Sequence, residues 1–289
     1  MPAPALLRRA APAKLNLGLH VLRRRADGYH DLETVFLPIA WADVLEAEPA
    51  PALALSTSDP ALPADARNLV WRAAEALASH AGIVPAARLH LEKHVPYGAG
   101  LGGGSSDAAA ALRLLAQLWK LDVTPRALHE IATALGADVP FFLGRAPALG
   151  EGIGERLTPL RRADGALYRC PFALCVAVPE VHVSTAEAYR LVAPHDRGRP
   201  DVAAAVLSDD LERWRRELTN DFQVPVEAAH PAIAAARRAL AEAGAAYAAM
   251  SGSGAAVFGV FESDAAAAAA AEALGRAGLR TWSGRQAGA

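Results

Sequence analysis

Pro96-Tyr-Gly-Ala-Gly-Leu-Gly-Gly-Gly-Ser-Ser-Asp107 decides the reading of this chain, because five glycines and two serines within nine positions strip nearly every side chain from one bend. Before it, Ala87–Val95 places apolar residues at Leu89, Leu91 and Val95, the pattern of a half-buried strand. After it, Ala108–Trp119 reads as a helix. A bare turn between a strand and a helix N-terminus aims backbone N–H groups and the positive end of the helix dipole at one point, so its natural ligand is phosphate. The Walker pattern does not fit, since Gly104 and not Lys stands before Ser105. The dinucleotide fingerprint is formally met by Gly98, Gly100 and Gly103, with Asp122 at about the distance of a ribose-binding acid. That acid, however, follows a helix and precedes Thr124-Pro125, where the fingerprint needs the end of a strand.

Composition bounds the class. A chain of 289 residues, 53% hydrophobic and 21% charged, is globular and long enough for one large domain or two ordinary ones. A net charge of −2 argues against a general nucleic-acid surface, although Arg23-Arg24-Arg25 forms a local basic patch. Cys170 and Cys175 are the only cysteines and lie in an apolar strand-like run, which fits reduced thiols in a cytoplasmic setting better than a metal site or disulfide framework. No long uninterrupted apolar run reads as a membrane span. The strand-like alternation from Ala11 to Leu19 disfavours a cleaved leader.

Along that first strand, Leu15, Leu17, Leu19 and Val21 share one face while Lys14, Asn16, Gly18 and His20 share the other, either lining a site or facing solvent at an edge. Asp27-Gly28 marks a turn, with Tyr29 and His30 at its exit and an extended segment through Pro38. Residues 48 to 65 read as strand fragments joined by loops. Asn68 is a helix cap for residues 68 to 80. Another helix runs from Pro125 to Leu135 and ends at Gly136. Pro140 is expected to push Val139 out of the helical region, fixing Asp138 in a short connector at a helix C-terminus, where a carboxylate is unfavourable without a task or a cationic neighbour. Gly150–Arg156 and Leu160–Gly165 read as the clearest break, with a second domain beyond it. That domain holds a strand at Phe172–Pro179, helices near 185–191, 202–207, 209–217 and 231–243, a strand pair around Gly252 and Gly254, a helix from Asp264 and a last strand at Thr281-Trp282.

Pro12-Ala-Lys-Leu-Asn16, Arg25-Ala-Asp-Gly-Tyr-His30, Pro96–Ser106, Gly136-Ala-Asp-Val-Pro140 and Met250-Ser-Gly-Ser-Gly-Ala255 stand in the order and spacing of the GHMP kinase superfamily, which the chain resembles over essentially its whole length. The glycine–serine loop is shared with galactokinase, homoserine kinase and mevalonate kinase relatives. The Lys-Leu-Asn strand and the Ala-Asp-Gly-Tyr-His segment are similar to those of the 4-diphosphocytidyl-2-C-methyl-D-erythritol kinase family of the non-mevalonate isoprenoid pathway.

The resemblance implies a two-domain α+β fold: an ATP-binding N-terminal domain over residues 1–160 and a ferredoxin-like, substrate-side C-terminal domain over 161–289, with the active site in the cleft. It implies phosphorylation of a 2-hydroxyl by ATP with Mg2+, on a polyol carrying CDP as a handle, by a monomer or homodimer that takes small molecules and engages neither nucleic acid nor membrane. Asp138 matches the base and Lys14 its partner, with Asn16 orienting the substrate. Pro96, Tyr97, Gly98, Ala99, Gly100, Leu101, Gly102, Gly103, Gly104, Ser105 and Ser106 would cradle the phosphates, with Asn68 and Lys93 by the nucleotide. Tyr29 and Tyr189 would sandwich the cytosine, His30 and Thr185 bonding near it. No carboxylate cluster announces metal ligands. Asp107 stands where relatives often have Asn, and Tyr189 where Phe is frequent.

Overall fold

The computed structural model describes residues 6–144 and 146–288. The chain runs β1 (Leu7–Arg24), β2 (His30–Glu48), β3 (Ala54–Thr57), α1 (Leu69–Ala81), β4 (Arg88–Glu92), α2 (Gly103–Leu118), α3 (Pro125–Leu135), α4 (Val139–Leu143), β5 (Ala148–Gly152) and β6 (Arg156–Pro159). It continues through β7 (Ala173–Val178), α5 (Thr185–Leu191), α6 (Val202–Leu207), α7 (Leu211–Glu217), α8 (Gln223–Ala229), α9 (Pro231–Glu242), β8 (Tyr247–Met250), β9 (Val257–Phe261), α10 (Asp264–Arg276) and β10 (Arg280–Gly284).

Two compact units interleave along the chain. The first takes the residues up to Ala13, Ala42–Val95 and Gly102–Gly144; the second takes Lys14–Trp41, Pro96–Leu101 and the described residues beyond Gly144. The glycine-rich loop therefore changes unit between Leu101 and Gly102.

In the first unit, Val44–Glu48 of β2 pairs antiparallel with β4, and β3 pairs parallel with β4 on its other side. Leu89 and Leu91 alternate into the core as the sequence predicts. Helix α1 buries Val70, Ala73, Ala74, Leu77 and Ala78, one stripe at helical spacing, and packs on α2. Asn68 caps it, its side chain accepting from the Val70 N–H, and Gly82 closes it at φ +65°.

In the second unit, Leu32–Phe36 of β2 pairs with β5, and β5 with β6. The stretch read as a break is thus a β-hairpin stitched to β2; its glycines serve a tight turn and close packing, for a Cβ at Gly150 would meet the Phe36 ring at 2.4 Å. The other sheet has the order β10-β7-β9-β8 with all neighbours antiparallel, which is the 4-1-3-2 order of the ferredoxin-like βαββαβ unit. Helices α9 and α10 pack on it. The alanine-rich α10 buries Ala267, Ala270, Ala271 and Leu274, so its low-complexity run is a packed helix face.

Three readings are corrected. Helix α2 starts at Gly103, five residues before the expected Ala108, so Gly103–Ser106 belong to its first turn. Val139 is helical: Pro140 lies in the first turn of α4, where its missing N–H costs nothing, so Asp138 precedes a helix N-terminus. Helix α8 was not expected.

Candidate functional site

The polar face of β1 is buried, which removes the solvent-edge alternative. Lys14 and Asn16 are 4% and 3% exposed. The Lys14 ammonium donates to Asn16 Oδ1 at 2.7 Å and to the Gly100 carbonyl at 3.0 Å, and sits 5.6 Å from the Phe36 ring centroid. Asn16 Nδ2 donates to Thr34 Oγ1 at 3.0 Å, and Thr34 Oγ1 donates to the Gly18 carbonyl. This chain of bonds fixes the Asn16 amide with its oxygen toward the lysine.

Two glycine turns close on this strand. The Lys14 N–H donates to the Leu101 carbonyl, and Ala256 N–H to Ala99. Ser251 Oγ accepts from the Asn16 N–H and donates to Gly100 O at 3.1 Å. At Gly100 the backbone has φ +76°, and a Cβ would stand 2.3 Å from the Ser251 carbonyl oxygen. Gly252, at φ +56°, is tight to a lesser degree: a Cβ there would face the Gly100 carbonyl oxygen at 3.1 Å, Asn16 Oδ1 at 3.2 Å and Lys14 Nζ at 3.4 Å. Ser251 and Thr34, to which the sequence reading gives no role, bond to Asn16, and Gly252 of the Met250–Ala255 motif packs beside Asn16 and Lys14.

In the same unit His30 stacks on Tyr189, ring centroids 4.5 Å apart at 17°, and Tyr189 meets Phe222 edge-on at 4.9 Å. Tyr29 is 60% exposed at the turn, where it presents a bare ring. The structure thus joins His30 to Tyr189. Thr185 Oγ1 lies 3.4 Å from Ser253 Oγ. Burial, aided by Arg24, lowers the His30 imidazole below its ordinary value and keeps it neutral near pH 7. Tyr97 is largely exposed, while Ala99 and Leu101 are buried anchors of the loop. His182, which no motif flagged, packs against Gly98, a Cβ there meeting its ring at 2.9 Å.

In the first unit Gly102 takes φ +70° and opens α2, so Gly103–Ser105 fill its first turn, where a helix leaves N–H groups without intrahelical acceptors, while Ser106 N–H bonds to Gly102 O. Ser106 Oγ is buried with no hydrogen-bond partner among the described residues. Lys93 is buried between two acids: its ammonium bonds to Asp43 Oδ2, and to Asp107 Oδ2 at 2.8 Å. Burial pulls the Lys93 ammonium down, but Asp107 and Asp43 outweigh it and raise it overall. Asn68 is committed to its cap and to the Pro63 carbonyl at 2.8 Å. Asp138 is half-buried and does not cap α4.

Burial pushes the Asp107 carboxyl up to about 7; Lys93 opposes this and the Asp43 charge adds to it. Because folding raises this carboxyl above its ordinary value of 3.8, the folded state holds its proton more tightly. That contribution to stability is complete below the ordinary value and is lost as pH rises through about 7. Replacing Asp107 with Asn removes the titration, so the melting temperature of the parent protein is expected to fall from pH 6 to pH 8 relative to that of Asp107→Asn. Parallel pH profiles in thermal melts would contradict this.

Among the described residues no helix is long and apolar enough to cross a membrane, and no group of three or more His, Cys, Asp or Glu is arranged to hold a metal ion. The family model for the GHMP kinases N-terminal domain matches residues 68–145, and that for the GHMP kinases C-terminal matches 202–280. A 4-diphosphocytidyl-2-C-methyl-D-erythritol kinase of Salinibacter ruber is 57% identical over 94% of this chain and 95% of its own length. One from Prosthecochloris aestuarii is 44% identical, over 91% and 92%. The crystal structure of a 4-(cytidine 5'-diphospho)-2C-methyl-D-erythritol kinase superposes with a TM-score of 0.82 at 40% identity, covering 98% of this chain and 100% of that one.

Proposed function

The chain belongs to the GHMP kinases and, within them, to the 4-diphosphocytidyl-2-C-methyl-D-erythritol kinase family, and on that footing we propose that it moves the terminal phosphoryl group of ATP to the 2-hydroxyl of 4-diphosphocytidyl-2-C-methyl-D-erythritol in the cytoplasm. The observation that carries the residue-level reading is Lys14: an ammonium almost wholly buried on a strand face, held by Asn16 Oδ1 and the Gly100 carbonyl of the glycine-rich loop.

Phosphoryl transfer is mainly positioning and charge stabilisation. The substrate oxygen forms its bond to the γ-phosphorus as the bond to the ADP oxygen breaks, and the hydroxyl proton passes to Asp138. Lys14 offsets the negative charge developing on the attacking oxygen, and Asn16 orients the alcohol. The N–H groups at the start of α2 take the phosphates, with Asn68 and Lys93 on the nucleotide side. Mg2+ would be held chiefly by phosphate oxygens of the co-substrate and by water, and would supply charge neutralisation there. In this reading the ATP-side domain covers residues 1–160 and the substrate-side domain 161–289.

Cytosine recognition falls to Tyr29, His30, Thr185 and Tyr189. A neutral His30 in contact with Tyr189 offers a flat surface and one donor and one acceptor. Aromatic contacts are worth about 0.5–1.5 kcal/mol beyond burial, so Tyr189→Ala or Tyr29→Ala is expected to raise the KM of the CDP-linked substrate up to about tenfold. The KM for ATP should stay within about twofold, and CDP binding by calorimetry should weaken in parallel. Equal loss for both substrates would remove these residues from the cytosine site.

The function itself is tested by ATP consumption with the diphosphocytidyl polyol against homoserine, galactose and mevalonate. Turnover is expected with the first alone. Preference for any of the others would replace the assignment with another kinase of the superfamily.

A further inference from the structure

Asp43 stands alone as an acid in the apolar run Ile39-Ala-Trp-Ala-Asp-Val-Leu45 of β2, and it is fully buried. Both of its oxygens are used. Oδ1 accepts from the backbone N–H groups of His94 and Val95, at 2.6 and 2.8 Å, just where the chain leaves β4 for the glycine-rich loop. Oδ2 accepts from Lys93, whose ammonium bonds in turn to Asp107 in α2, just past the loop's far end. Lys93 is 4% exposed and Asp107 equally so at the side chain, so solvent screens none of these bonds effectively. The link lies against the start of α2: a Cβ on Gly103 would meet Val95 Cγ1 at 3.3 Å and would be in ordinary contact with Lys93 Nζ at 3.5 Å and Asp43 Oδ2 at 3.6 Å.

A turn made mostly of glycine has little stiffness of its own, and its ordering must come from what holds its two ends. We infer that Asp43 is a positioning residue for ATP, which through two backbone N–H groups and the Lys93–Asp107 link fixes both ends of the phosphate-binding loop. Lys93, in this account, acts on ATP through the loop and not as a cation presented to the ligand. A breakable two-acid, one-base link is also a specific link: neither acid can be lost without leaving the ammonium or the N–H groups short of an acceptor.

The inference rests on the proposed phosphate-loop reading, and the test separates the two. In Asp43→Asn the amide keeps one oxygen for the N–H groups and loses the charge toward Lys93. The KM for ATP is expected to rise about tenfold, with kcat and the KM of the CDP-linked substrate within about twofold. Loss of a buried charge lowers the melting temperature in either case, so the split between substrates decides: a merely structural role would move both KM values together. Asp107→Asn serves as the second variant, and the double variant is expected to raise the KM for ATP by less than the product of the single effects, as for residues acting through one link. Gly102→Val, at a left-handed backbone position, is the control for the loop itself. If it raises the KM for ATP while Asp43→Asn does not, the positioning role is overturned and the loop reading stands. If neither variant changes it, both are overturned.

Discussion

Asp138→Asn is expected to fold, to bind ATP and the CDP-linked substrate with near-parental affinity, and to turn over about 10²- to 10⁴-fold more slowly, the range lost when a positioned general base is removed. The substitution is close to isosteric and Asp138 does not cap α4, so no helix-capping bond is lost with the charge. An amide cannot take the hydroxyl proton. Lys14→Met is expected to lower kcat comparably, and it carries a structural cost that the first variant lacks: Asn16 Oδ1 and the Gly100 carbonyl lose their donor in a buried setting. If the two residues serve one step, the double variant will be little slower than the slower single one. Steady-state kinetics on purified, melt-checked protein decide it. Turnover of a well-folded Asp138→Asn within threefold of the parent would remove Asp138 from the proton transfer.

Gly100→Ala is expected to be the most damaging single methyl group in the molecule. The left-handed backbone alone costs about 1–2 kcal/mol for an alanine. Added to it, the new Cβ would stand 2.3 Å from the Ser251 carbonyl oxygen and 3.0 Å from that of Gly254, both backbone atoms with no rotamer to yield. The turn must move, and the Gly100 carbonyl that holds Lys14 and Ser251 moves with it. A lower melting temperature together with a fall in kcat of more than tenfold is the expected outcome. Gly104→Ala is the control for stability: its Cβ would meet only the tip of Leu69 at 3.8 Å, and alanine is the better helix residue by about 0.5–1 kcal/mol. Equal melting temperatures for the two variants would contradict the packing argument.

The parts legible in the sequence are those governed by local rules. Alternation in Leu15–Val21 and in Leu89–Leu91, the Asn68 cap, the Gly136 stop and the strand-loop-helix setting of the glycine-rich turn all follow from spacing within a few residues. Where reading faltered, two local rules competed. The start of α2 was placed late because glycine and serine are poor helix formers, yet the first turn of this helix is where free N–H groups are wanted. Pro140 reads locally as a helix breaker, although it lies in a first turn. Asp43 shows a different limit. Its partners lie about fifty positions away, and in sequence it carries only the faint signal of an acid inside an apolar strand. The interleaving of the two units is likewise a product of long strands: β1 and β2 each run through both, so no linker composition marks the division.

Product identification by NMR tests the central claim most directly. Incubation with ATP and 4-diphosphocytidyl-2-C-methyl-D-erythritol carrying a ¹³C label at carbon 2 is expected to give a new phosphomonoester ³¹P resonance coupled to that carbon, in step with ADP and with the CDP diphosphate intact. A phosphoryl group on any other oxygen, or ADP formed without the new coupling, would contradict the account.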